Sequence, residues 1–207
     1  MRYRIVQHGE SRSFPTDDAF LRGASDDGDV VIYLGATLRP DDSKTAVLVE
    51  LGTECLGVHT GEKAGEEGSN VLGFARYRNG TDDPSALIEL VRQPRTPDPA
   101  IAAARALFEA AGFTVVVSAD QAGRIIDRLV RPKYNAALRF LDEGLATAQA
   151  IDMTCKLGLG YRDGPIERIE RGGLTHHYDV TQALFETYGT PAYAPARRAV
   201  VAKLRAR

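Results

Sequence analysis

Tryptophan is absent, methionine and cysteine occur twice each, and aromatic residues make up 7% of the 207 residues. The missing tryptophan says nothing about function. Cys55 and Cys155 stand far apart with no C-x-x-C or C-x-x-H neighbour, so they read as reduced, buried thiols of a cytosolic protein. No apolar run approaches membrane-spanning length, and Met1-Arg2-Tyr3 opens directly into a strand-like segment without a signal peptide. The expectation is a cytoplasmic chain without membrane contact. A formal charge of −2 leaves no basic excess for nucleic acid or an anionic lipid surface. Internal repeats and low-complexity tracts are lacking too. Gly52-x-x-x-x-Gly57 fails as a phosphate loop, because Val58-His59 follows where Lys-Ser/Thr is needed.

What is present is an alternation of strands and helices. Residues 3–7 form a short strand candidate, followed by a polar Ser/Asp/Gly-rich run with one helical turn around residues 17–22. Residues 29–35 (DVVIYLG) and 45–51 (TAVLVEL) are continuous apolar runs of the kind buried in a parallel sheet, although a helix start from Pro40 stays open. Residues 55–59 read as a further short strand and 61–70 as a charged, Gly-rich surface loop. Residues 71–77 and 86–91 read as strands divided by the turn RNGTDDP. An Ala-rich helix over 99–111 is closed by Gly112, and 113–117 is the last strand. This pattern predicts a parallel-type α/β layer over residues 1–117 and a helical domain over 118–207, with the boundary near 117–121.

The stretch from 117 to 165 organises the chain. Ile126, Val130, Tyr134, Ala137, Leu141 and Leu145, with Ile125, Leu129 and Leu138 beside them, mark one wide apolar face on a long helix. Pro132 inside it predicts a kink. Thr147 begins a second helix that ends at Gly158/Gly160.

The run GRIIDRLVRPKYNAALRFLDEGLATAQAIDMTCKLGLGYRDGPIE resembles the helical C-terminal domain of 3-hydroxyacyl-CoA dehydrogenases. That family shows GF-x-x-NR-L-x-x-P-x-x-NEA-x-x-L-x-x-EG, then ID-x-x-x-K-LG-x-G-x-P-x-GP. The likeness runs from about Val71 to the C-terminus and is gapless through the helical part. It implies a Rossmann-like α/β domain followed by a helical dimerisation domain, and so a homodimer built around residues 126–145 and the last helices. Gly158-Leu159-Gly160 belongs to this helical signature, not to a nucleotide loop.

In the family the first strand runs into G-x-G-x-x-G, which binds NAD. Here it runs into Gln7-His8-Gly9-Glu10-Ser11-Arg12, with one glycine and no identifiable acidic residue for the ribose. The region before DVVIYLG is also short, so at least one βαβ unit and the CoA-contacting helical arm look to be missing and the sheet incomplete. The family's general-base His, in V-x-G-x-HF-x-NP, falls on Ala75, while its Glu partner survives as Glu89. The SNTSS segment reads Gly52-Thr53-Glu54-Cys55, and the Asn of NRL is Asp127. The resemblance assigns Thr53, Glu54 and Tyr77 to substrate binding.

Three functions stay open. The first is a relative that has lost NAD-dependent hydride transfer, a pseudoenzyme with no cofactor, which binds an acyl-CoA-like ligand or serves a partner protein. The second is an active dehydrogenase with an atypical site. The third is a non-redox thioester or β-keto enzyme using Glu89 and Asp127 as a proton-sharing carboxyl pair. Against that pair stands the plainer expectation that each carboxylate meets an arginine, for instance Arg76, Arg78 or Arg128. Cys55 and His59 carry no ligand cluster with them, and no metal site is expected. Of the adjacent His176 and His177, one is expected to pack and the other to be solvated. The basic tail Arg197, Arg198, Lys203, Arg205 and Arg207 reads as a solvated helix face, with phosphate contact as the sharper alternative.

Overall fold

A computed structural model of the protein describes residues 2–206, so the expectations that fell on Met1 and Arg207 lie outside the described residues. The chain divides into two compact units. The first comprises Met1–Arg78 and Asp83–Arg124, the second Asn79–Asp82 and Ile125–Arg207.

The first unit is a six-stranded sheet whose strands lie side by side in chain order. They are β1 (Tyr3–Gln7), β2 (Val30–Leu34), β3 (Ala46–Glu50), β4 (Val71–Arg76), β5 (Leu87–Arg92) and β6 (Thr114–Ala119). Side chains alternate between the two faces, and both faces are covered over the central strands, which is why β2 and β3 read as unbroken apolar runs. On one face Val30, Ile32, Leu48, Leu72, Phe74 and Ile88 pack against the helix α3 (Asp98–Ala110) through Ala104, Leu107 and Phe108. On the other, Val31, Val47, Val49, Val71 and Val91 gather around Leu51 and Leu56. The short helix α1 (Ala19–Arg22) brings Phe20 into an aromatic cluster with Phe14, Phe108 and Phe113.

Three local expectations are corrected. The layer is mixed, because β4 and β5 run antiparallel. The connection through residues 77–86 is short and holds no helix, which suits a hairpin and not a parallel crossover. Residues around Cys55–His59 are not a strand but lead into the helical turn α2 (Gly57–Thr60). Its leading amides, on Leu56 and Gly57, donate to the Asp120 carboxylate at 2.6 and 2.8 Å. A cap supplied from the far end of the unit leaves no local trace in the sequence. Both thiols are half-buried and free, not buried.

The second unit is helical: α4 (Ile126–Asp142), α5 (Ala148–Met153), α6 (Pro165–Gly172), α7 (Leu174–Tyr188) and α8 (Arg197–Arg205). The helix α4 runs on through Pro132. Thr147 caps α5, accepting from the Ala150 amide at 3.2 Å, and a π-helical turn over Thr154–Gly158 continues it. Tyr134, Ala137 and Leu138 of α4 bury against Ile151, Ile166 and Ile169. The apolar face read from the sequence is therefore split, since Ile125, Leu129 and Leu145 remain exposed.

The ID-x-x-x-K and GP signatures have a structural account here. Both oxygens of Asp152 accept from the first amides of α6, Ile166 at 2.8 Å and Glu167 at 3.1 Å. Lys156 pairs with Glu167 on the same turn. Pro165 starts the helix, and Gly164 before it has no room for a Cβ beside Asp152. Asp152→Ala is expected to lower stability by about 1–2 kcal/mol, the value of a charged N-cap. Urea unfolding checks it, and Asp152→Asn should recover part of the loss.

Candidate functional site

The position where the family's base is expected is the last but one of strand β4. Ala75 stands there, in register opposite Glu89 of β5. A methyl group has no ionisable proton, so no proton transfer passes through the side chain of residue 75. Glu89 is 4% exposed and forms an ion pair with Arg124, whose Nε lies 3.7 Å from Glu89 Oε2. Glu89 thus meets an arginine as expected, but the arginine is Arg124 and not Arg76, Arg78 or Arg128. Arg76 instead pairs with Asp18 at 2.9 Å and lies over the Phe113 ring.

The segment leaving β3 carries Thr53 and Glu54. Thr53 is half-buried, and its carbonyl accepts from the Gly123 amide at 2.7 Å. Burial alone would raise the Glu54 carboxyl. Hydrogen bonds from the Gly52 and Glu54 amides and from the His59 ring outweigh it and hold the group below the usual carboxylate range. Tyr77, at the end of β4, is half-buried and its carbonyl accepts from the Ser85 amide at 2.9 Å. Beside Cys55 opens a cavity of about 540 Å³ lined by Glu62, Glu67, Arg92, Gln93 and Asp120. Thr53, Glu54 and Glu89 are thus tied together in the first unit, through Arg124 and the backbone next to it.

Asp127 belongs to the second unit and has a guanidinium of its own. Arg131 Nε lies 2.8 Å from Asp127 Oδ1, one helical turn away. The same guanidinium reaches His177, Nη1 to Nδ1 at 3.4 Å, and His177 Nε2 meets Asn135 Oδ1 at 3.0 Å. His177 is 1% exposed. Burial first, then the charges of Arg131 and His176, lowers its pKa to about 3. It is a neutral, packed histidine inside a polar chain running Asp127–Arg131–His177–Asn135, and its neighbour His176 is half-buried. Among the described residues no group of three or more His, Cys, Asp or Glu side chains is arranged to hold a metal ion.

The protein's relatives can now be set beside this geometry. Residues 123–206 match the model of the 3-hydroxyacyl-CoA dehydrogenase C-terminal domain. That segment belongs to the family of 3-hydroxyacyl-CoA dehydrogenase C-terminal domains. Among curated relatives, the 3-hydroxybutyryl-CoA dehydrogenase of Bradyrhizobium diazoefficiens is 33% identical over 109 residues, 53% of this chain and 37% of that one. A probable 3-hydroxybutyryl-CoA dehydrogenase of Bacillus subtilis is 30% identical over 109 residues, 53% of this chain and 38% of that protein. The chain therefore spans little more than a third of these relatives' length. Among solved structures, that of Mycobacterium tuberculosis FadB2 superposes with a TM-score of 0.71 at 20% identity, covering 87% of this chain and 66% of that one. The (S)-3-hydroxybutyryl-CoA dehydrogenase of Ralstonia eutropha gives 0.68 at 23% identity, covering 84% and 64%. These two show the fold, a Rossmann-like sheet with a helical domain.

The expectation of no cofactor is corrected. The matched relatives are dehydrogenases of an NAD-dependent family, which points to NAD and not to an absent cofactor. The residues after β1 do not fit its pyrophosphate. The chain leaves β1 through a loop with one glycine and enters only the four-residue α1, where the Asp18 carboxylate already accepts from the Phe20 amide at 2.8 Å. The Asp18 carboxylate, paired with Arg76, already occupies an amide at the start of that helix. No step of the chemistry is therefore routed through that loop. No helix of the described chain is long and apolar enough to cross a membrane.

Proposed function

We propose that this protein receives an acyl-CoA-type thioester as a divergent member of the 3-hydroxyacyl-CoA dehydrogenase family, and that hydride transfer by the family's route is impaired in it. The observation carrying this reading is Ala75 facing Glu89 across the β4–β5 ladder, with Arg124 as the ion-pair partner of the carboxylate. What the chain's own residues do is bind and orient: the segment Gly52–Cys55, its carbonyls held from Gly123 and Arg124, offers the Thr53 hydroxyl to a ligand, and Glu89 balances a buried charge. NAD stands as the cofactor class to test. Calorimetric titration with acetoacetyl-CoA, alone and with NADH, checks the reading. Saturable binding supports it, and no binding by either route defeats it.

An active dehydrogenase with an atypical site is the second reading, favoured by the dehydrogenase names of the relatives. A non-redox reaction at Glu89 and Asp127 would require both carboxylates to be released from Arg124 and Arg131. If Glu89→Gln leaves such a turnover unchanged, Glu89 is not its base.

A homodimer is part of the same proposal. Leu129, Leu145, Met153, Leu157 and Leu159 of the helical unit are 57–82% exposed, more apolar surface than a small helical unit normally leaves in water. Sedimentation is expected to give a dimer at micromolar concentration, and Leu129→Glu with Leu157→Glu a monomer. A monomeric wild-type protein would contradict this.

A further inference from the structure

The segment that follows β3 is held in place from the stretch that leaves β6. Asp120 accepts from the Leu56 and Gly57 amides, and the Gly123 amide donates to Thr53 O at 2.7 Å. Arg124 supplies the rest through its side chain. Its Nη2 donates to Gly52 O at 2.6 Å, its Nη1 to Glu54 O at 3.5 Å, and its Nε lies 3.7 Å from Glu89 Oε2. That Nε makes no hydrogen bond among the described residues, although the side chain is 4% exposed.

Two further facts mark the residue. Its backbone has φ +46°, a left-handed conformation that is strained for a non-glycine residue and persists where the surroundings impose it. Its guanidinium is also a rigid planar fork, so it addresses two carbonyls and a carboxylate together, which a lysine ammonium cannot do. Asp120, Gly123 and Arg124 together link β6 to the exit of β3 and, through Glu89, to β5.

We propose that Arg124 is a positioning residue: it sets the Gly52–Glu54 backbone against Glu89, and the thioester is bound only by the segment held in that position. This rests on the reading above that the segment meets an acyl-CoA-type ligand. The rival account is purely structural, with Arg124 serving only as the counter-ion of a buried carboxylate.

Paired substitutions separate the two. Arg124→Met leaves Glu89 buried without its guanidinium and should destabilise the fold. Arg124→Met with Glu89→Gln also removes the buried negative charge and should recover most of the stability. If Arg124 positions the segment, the double variant still binds acetoacetyl-CoA about tenfold more weakly than Glu89→Gln alone, the effect of losing a charge-assisted hydrogen bond. The amides of Gly52 to Cys55 should also exchange with solvent faster in the double variant, and Arg124→Lys should restore neither property in full. Affinity and exchange equal to those of Glu89→Gln would overturn the proposal. Should the wild-type protein fail to bind acetoacetyl-CoA, the functional reading falls, and the exchange rates at Gly52–Cys55 still decide the role of Arg124.

Discussion

Acidification from neutral pH to about pH 4 is expected to remove on the order of 3 kcal/mol of stability through one side chain, His177. Its folded pKa is lowered from 6.5 to about 3, chiefly by burial and then by Arg131 and His176. Between those two values the unfolded chain binds a proton that the folded chain refuses, so stability rises with pH across that window. The contribution is intact above about pH 6.5 and is lost progressively as pH falls toward 3. Urea midpoints measured from about pH 7 down to pH 4 should fall steeply in the wild type. His177→Gln should start lower at neutral pH, where its ring packing against Tyr134 is lost, and then fall much less. An identical slope in both proteins would show that His177 does not govern the acid response.

The second large effect is expected at the other end of the same chain of groups. Arg131→Met leaves Asp127 with no guanidinium at a site where the two side chains are 6% and 13% exposed. Removing one partner of a buried pair costs about 3 kcal/mol or more, since the remaining charge is uncompensated. It also takes away one of the charges that hold the His177 pKa down, so the acid response should become shallower as neutral-pH stability drops. Arg131→Met with Asp127→Asn should recover much of the loss. A single variant as stable as wild type would mean that the pair contributes little and that Asp127 is available for other work.

Most of the elements were readable because their causes are local. The apolar runs of β2 and β3, the Ala-rich α3 and the Thr147 cap each announce themselves within a few residues. The misreadings share the opposite property. The helical turn at Gly57–Thr60 is capped by Asp120, and the arginine expected at Glu89 is Arg124 and none of those named, each across a long stretch of intervening sequence. Arg124 occupies a left-handed backbone position that a sequence reading assigns to glycine or asparagine, so nothing marked it. Asp127 looked like a departure from the family's asparagine, whereas its pairing with Arg131 one turn on follows helical spacing and was within reach. The expectation of no cofactor rests on the missing glycines, the missing ribose carboxylate and the short region before β2, and the dehydrogenase relatives overrule it.

The most direct test of the account is NADH oxidation with acetoacetyl-CoA, followed at the nicotinamide band, for the wild type and for Ala75→His. The wild type should bind the thioester yet turn over slowly. An imidazole placed opposite Glu89 should raise the rate by about a hundredfold, the lower range of what a positioned general base contributes. A wild-type rate that is already fast and that Ala75→His leaves unchanged would show that proton transfer in this protein never depended on residue 75.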